Sequence, residues 1–110
     1  MGMVRFNTLI KQYEIPHDSY DCSEIAEDLY NMAMSCGLRG SIVKITPANG
    51  NNTINVIEYG KVMPFEYHEV FMLDDVVYDI RMGYALTIQE YIHELNLINK
   101  MGYNFSIYIK

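Results

Sequence analysis

Apolar residues recur at three- and four-residue steps in three stretches of the chain and alternate with polar ones in several others. From Val4 to Tyr13, Phe6, Leu9, Ile10 and Tyr13 keep helical spacing, and Pro16 ends anything before it. The linker Glu14 to Asp21 leads to a second helix from Cys22 to Cys36. Its apolar stripe is Ile25, Ala26, Leu29, Met32, Ala33 and Cys36, and Gly37 suits its left-handed stop. Asp21, with Glu24 three residues on, reads as a capping box that starts this helix at Cys22. After Gly40 the period changes. Ser41 to Thr46 and Thr53 to Tyr59 are β-branched runs around a turn at Pro47 to Asn52 and are expected to pair as a hairpin.

Gly60 to Pro64 reads as a loop. Phe65 to Leu73 and Val76 to Arg81 make a tighter hairpin around Asp74-Asp75. Gly83 to Leu86 leads into a helix from Ile88 to Lys100, capped by Thr87 and Glu90, with Ile88, Tyr91, Ile92, Leu95 and Ile98 as its apolar face and Gly102 as its stop. Tyr103 to Lys110 alternates as a last strand. Helix, helix, four strands, helix, strand is the order of a single α+β domain, 1–110, with a mostly antiparallel sheet.

The register of the tight hairpin brings the first candidate chemistry together. If Asp74-Asp75 is a two-residue turn, Leu73 faces Val76, Asp79 faces Val70 and His68 faces Arg81. His68, Val70, Met72, Val77, Asp79 and Arg81 then share one face, and Phe71, Leu73, Val76, Tyr78 and Ile80 the other. His68 and Asp79 become diagonal neighbours, about 7–8 Å apart along the backbone and within side-chain reach. Both faces are partly apolar, so the pair is expected to be covered and to need partners.

Cys22 supplies the second. At the first helical position, on the apolar side, its thiol feels the positive end of the helix dipole, and the first-turn N–H groups favour thiolate and can hold an oxyanion. Cysteine on such a face is also a common packing residue. Beside His68 and Asp79, however, the aspartate would orient the imidazole and the imidazole would take the thiol proton.

Composition narrows the partners. The net charge of −6 and the lack of a basic run argue against an electrostatic footprint for nucleic acid, leaving only an acidic nuclease that acts through a few local residues. From Glu14 to Asp28 there are six acids and no lysine or arginine, which reads first as a solvated acidic face at a helix start and, as function, would make the mouth beside Cys22 acidic, in line with the basic partner that the net charge favours. Two cysteines about 21 Å apart on one helix, at roughly 1.5 Å per residue, do not bond, so the thiols suit a reducing compartment. No zinc spacing, signal peptide or membrane-length apolar run is present, and no metal or other cofactor is expected. The start Met1-Gly2-Met3 suits a module excised from a longer protein. His17 and His93 read as solvent-facing, Cys36 as core, and the ten tyrosines as half-buried packing residues.

Tyr20-Asp21-Cys22-Ser23, with His68 on one strand and Asp79 on the next, resembles the minimal papain-like fold and the cysteine motif of NlpC-type cell-wall peptidases. Asp21-Cys22-Ser23-Glu24-Ile25-Ala26 together with Tyr67-His68-Glu69-Val70-Phe71 and Val77-Tyr78-Asp79 more closely resembles the second papain-fold toxin family, C-terminal warheads of bacterial polymorphic toxins. The likeness covers about residues 20–82, on the spacing of these motifs. It implies a Cys22–His68–Asp79 triad on a helix packed against an antiparallel sheet, delivery as part of a larger toxin, action on a protein in the target-cell cytoplasm, and a cognate immunity protein. Papain-like enzymes often carry an oxyanion glutamine six residues before the cysteine, where this chain has Pro16, and NlpC-type peptidases have glycine where it has Glu24. Gln12 and Tyr20 are the candidates to replace the glutamine.

The resulting expectation is a cysteine-dependent amide hydrolase or acyltransferase. Glutamine deamidation ranks first, because a domain this small has little length for a deep peptide cleft; peptide cleavage and transglutamination share the acyl chemistry. The expectation of a different class is a papain-like binding module without activity, in which His68 and Asp79 are a satisfied polar pair.

Overall fold

The computed structural model describes residues 2–17, 20–48 and 50–109, with Tyr84 described by its backbone alone. Two helices come first, α1 (Gly2–Gln12) and α2 (Cys22–Ser35). They are followed by strands β1 (Ser41–Pro47), β2 (Ile54–Glu58), β3 (Lys61–Phe65), β4 (His68–Leu73), β5 (Val76–Asp79) and β6 (Tyr84–Thr87), then α3 (Ile88–Ile98) and β7 (Tyr103–Tyr108). A 3-10 turn, Ile80–Met82, joins β5 to β6. Five strands form one sheet in the order β6-β5-β4-β1-β7, and β2 and β3 form a separate ribbon; every described pairing is antiparallel. The protein is therefore an α+β fold with an antiparallel sheet, as the pattern of elements predicts.

Strand β1 explains the layering. Val43 and Ile45 belong to one buried cluster with β2, α3, Val70 and Val77, while Ile42 belongs to another with Phe6, Leu29, Ala33, Phe71 and Leu73. A strand buried on both faces sits in the middle of a sheet with both edges paired, and β1 does, between β4 and β7. This overturns the expected hairpin between β1 and β2. The partner of β2 is instead β3, in the stretch that reads as a loop: Tyr59 and Gly60, both at positive φ (52° and 78°), turn the chain so that Glu58 faces Lys61. Pro64 is tolerated there because β3 has only one hydrogen-bonded neighbour.

The tight hairpin has the expected register. Asp74 and Asp75 take φ of 50° and 67°, the left-handed pair of a two-residue turn, and Leu73 faces Val76, Met72 faces Val77 and Phe71 faces Tyr78. The division of faces also holds, with Val70 and Val77 in one cluster and Phe71 and Leu73 in the other. The register does not continue to His68 and Arg81. Strand β5 stops at Asp79, and Gly83 at φ 94° closes the 3-10 turn that carries Arg81 away from the sheet.

The stretch Gly83 to Leu86, expected to lead into the helix, contributes Tyr84 to Leu86 to β6 against β5, and Thr87 is both the last residue of that strand and, as expected, the cap of α3. Helix α3 ends at Ile98, two residues early. Asn99 is the reason: its side chain bonds the backbone N–H and carbonyl of Asn55 on β2 and the carbonyl of Leu95, so the chain turns to meet the ribbon, and Gly102 lies in the turn beyond. At Gly40 a Cβ would stand 2.3 Å from the Phe71 ring, so only glycine lets the chain enter β1 this close to the core.

Candidate active site

Both predicted capping boxes are present, and the first sets the position of Cys22. Asp21 Oδ1 accepts from the Glu24 N–H at 2.8 Å and Glu24 Oε1 accepts from the Asp21 N–H at 3.1 Å. Helix α2 thus begins at Cys22, whose side chain is 9 % exposed. Two further bonds fix this end of the helix to the strands. Ser23 Oγ donates to the hydroxyl of Tyr67 at 3.2 Å, next to His68, and the Arg81 guanidinium donates to the carbonyl of Tyr20, just before the cap.

His68 and Asp79 stand at the same end of two paired strands, the first residue of β4 and the last of β5. Their side chains meet: His68 Nε2 lies 2.8 Å from Asp79 Oδ2, with both residues buried. Their backbone parity puts them on the face covered by α3 and the ribbon, whereas α2 packs on the opposite face. Cys22 reaches them because its helix starts where the strands end. Cys22, Ile25, Ala26, His68, Val70, Asp79, Ile80 and Arg81 all line one cavity of about 10 Å³, the size of a single water.

The bond to Asp79 assigns the ring nitrogens. A carboxylate only accepts, so Nε2 donates to it and Nδ1 is left to exchange a proton. Among the described residues, Nδ1 of His68 and Nε of Arg81 are the buried side-chain nitrogens without a hydrogen-bond partner. Burial works to lower the His68 pKa, but the hydrogen bond and charge of Asp79, helped by Cys22, outweigh it and push it up to about 10. Asp79 Oδ2 has a second donor, the hydroxyl of Tyr91 on α3 at 3.3 Å, which the sequence reading placed only as an apolar-face residue. Burial and the Asp79 charge raise the Tyr91 pKa well above its usual value, so it keeps the proton it donates.

The oxyanion candidates lie elsewhere. Gln12 is exposed in the last turn of α1, and the Tyr20 hydroxyl donates to Asp28 Oδ2 at 2.7 Å, an oxygen that Tyr13 also reaches at 2.8 Å. Neither residue lines the cavity of Cys22. His17 and His93 are exposed, as expected, and Cys36 is half-buried beside the Phe6 cluster. Of the acidic mouth, Asp21, Glu24, Glu27 and Asp28 line one shallow surface depression with Tyr20 and Ser23, while Asp18 lies outside the described residues. No cluster of three metal-ligating side chains occurs among the described residues, and no described helix is long and apolar enough to cross a membrane.

An open cleft of about 650 Å³ adjoins this site, lined by Tyr20, Asp21, Glu58, Tyr59, Phe65 and Arg81 among others. Arg81 belongs to the walls of both the cleft and the cavity. No family model, curated protein or solved structure matches the chain.

Proposed function

We propose that this domain is a papain-like cysteine enzyme that attacks an amide, with Cys22 as nucleophile, His68 as general base and then acid, and Asp79 as orienter. The observation that carries the reading is the arrangement around His68. Nε2 is committed to Asp79, Nδ1 has no partner, and the cavity holding both is shared with a cysteine at a helix N-terminus. With the His68 pKa at about 10, the proton given up by the Cys22 thiol is already held on Nδ1; the sulfur attacks the amide carbon, and the imidazolium passes that proton to the leaving nitrogen. Water then releases the acyl group as acid, or an amine takes it. No metal or other cofactor enters this chemistry.

The resemblance of the motifs around Cys22, His68 and Asp79 to the second papain-fold toxin family supports a biological setting: a toxin module delivered as part of a larger protein, acting on a protein in the target-cell cytoplasm and held in check by a cognate immunity protein. Glutamine deamidation leads peptide cleavage, because a domain this small has little length for the deep cleft between two lobes that holds an extended peptide. One observation favours the alternative of an inactive papain-like binding module: Cys22 is buried and the cavity beside it, about 10 Å³, has room for little more than one water.

Expression in a bacterial cytosol without a partner separates the two. The native domain is expected to arrest growth and Cys22→Ala to be harmless. A glutamine converted to glutamate in a host protein marks deamidation, new chain ends mark cleavage and crosslinks mark acyl transfer. Equal arrest by Cys22→Ala makes the toxicity a matter of binding and ends the enzymatic reading.

A further inference from the structure

Arg81 is held by two of its three guanidinium nitrogens. One terminal nitrogen donates to the carbonyl of Tyr20, and the other, Nη1, lies 3.2 Å from Glu58 Oε2. The third, Nε, is buried and has no partner among the described residues. A buried donor left unmade costs about 1–3 kcal/mol, so such groups mark places where a missing ligand completes the bonding. The only other buried side-chain nitrogen in that condition among the described residues is His68 Nδ1, and both residues line the cavity that contains Cys22.

Nδ1 exchanges its proton with Cys22 in the reaction proposed above, so Arg81 Nε–H is the buried donor left without an acceptor, and the reaction supplies one. We propose that Arg81 Nε–H is the side-chain donor that stabilises the oxyanion formed when Cys22 attacks an amide carbonyl arriving from the open cleft. The inference rests on the reading of Cys22 as the nucleophile. As the carbon–sulfur bond forms, the carbonyl π pair moves onto oxygen. Arg81 Nε–H, beside the first-turn amides of α2, hydrogen-bonds that charge. The pair returns as the carbon–nitrogen bond breaks, and the amine leaves with the proton from His68 Nδ1.

Three features suit Arg81 to this task. Its charge is permanent, its plane is fixed by Tyr20 and Glu58 before any substrate arrives, and it stands in the wall between cleft and cavity, where an entering carbonyl passes. It also fills a role that neither Gln12, exposed on α1, nor Tyr20, bonded to Asp28, is placed to fill.

Two reactions of Cys22 test the assignment in a Cys36→Ala background, because only one of them develops an oxyanion. Iodoacetamide alkylates sulfur by displacement at a saturated carbon, whereas p-nitrophenyl acetate acylates it through a tetrahedral oxyanion. Arg81→Lys keeps a charge and a donor for the Tyr20 carbonyl but has no Nε–H. Its acylation rate is expected to fall about 100-fold or more, the usual loss of an oxyanion donor, with alkylation within about threefold of native. Equal loss in both reactions assigns Arg81 to holding the Cys22 helix end and overturns the proposal, as does no loss in either.

The unmodified domain gives an answer that does not depend on any variant folding. Adding a small peptide aldehyde, which forms a hemithioacetal on Cys22, is expected to shift the Arg81 Nε–H proton downfield and slow its exchange with solvent; an unmoved resonance overturns the proposal. If native Cys22 alkylates no faster than Cys36 does in the unmodified chain and adds no aldehyde, the nucleophile assignment itself fails. That result is distinct from failure of Arg81 alone.

Discussion

The hydroxyl of Tyr91 donates to Asp79 Oδ2, the same oxygen that lies 2.8 Å from His68 Nε2. A residue from α3 therefore shares the carboxylate that orients the histidine. Two donors on one oxygen spread its negative charge, and the orienter is itself oriented.

Tyr91→Phe removes one of these donors while keeping the ring that fills the core. Unfolding in urea is expected to lose about 1.5–3 kcal/mol, the range for a hydrogen bond to a charged group. With less competition for Asp79, His68 should hold its proton more tightly, seen as an upward move of its midpoint in an NMR titration. No movement there would leave Tyr91 a packing residue only.

Asp79→Asn takes away the charge that opposes burial. Because burial alone lowers the His68 pKa and Asp79 is the main influence raising it, the midpoint in this variant is expected to drop by more than one unit. Breaking a buried pair while leaving one member in place costs about 3–5 kcal/mol, and an amide that still accepts from Nε2 recovers part of that. A His68 midpoint unchanged from the native domain would contradict the assignment of Asp79.

Stability should depend on pH through His68. Its pKa in the folded domain is raised from 6.5 to about 10, so folding binds the proton more tightly. The resulting stabilisation is complete below 6.5 and is lost as pH rises through about 10. The urea midpoint is expected to fall across that window, with the decline absent in His68→Gln. A midpoint that rises from pH 6.5 to 10 would show the opposite sign and contradict the raised pKa.

Asp21→Ala breaks the capping box that starts α2. A loss of about 1 kcal/mol is expected. Alkylation of Cys22 is expected to change in the same variant, because the residue follows the cap directly. If stability falls and alkylation of Cys22 stays at the native rate, the cap has no part in setting the thiol.

The acidic face at Asp21, Glu24, Glu27 and Asp28 should select basic partners. Association with the proposed immunity protein or substrate is expected to slow steeply as salt rises, measured as the on-rate at several ionic strengths. A rate indifferent to salt would place the contact elsewhere.

Local chemistry made much of this site legible in the sequence. Asp21 and Glu24 cap α2 and so fix Cys22 at its first position, because a capping box needs nothing beyond its own four residues. Asp74-Asp75 fixes the β4–β5 register, and the period of two along a strand then places His68 and Asp79 on one face. A tyrosine on a buried helix face also needs a partner for its hydroxyl, which is the signal that could have found Tyr91.

What depended on distant residues was not legible. Whether β1 pairs with β2 or with β4 and β7 is decided by which apolar faces must be covered, and that is known only once both sides of the sheet are packed. Arg81 extends the hairpin in the sequence pattern, yet the tertiary structure turns it toward Tyr20 and Glu58, 61 and 23 residues away, because a buried guanidinium goes where its acceptors are. The meeting of Cys22 with His68 around the end of the sheet is of the same kind: the sequence determined the two ends, and only the packing of α2 across β4 brought them to one cavity.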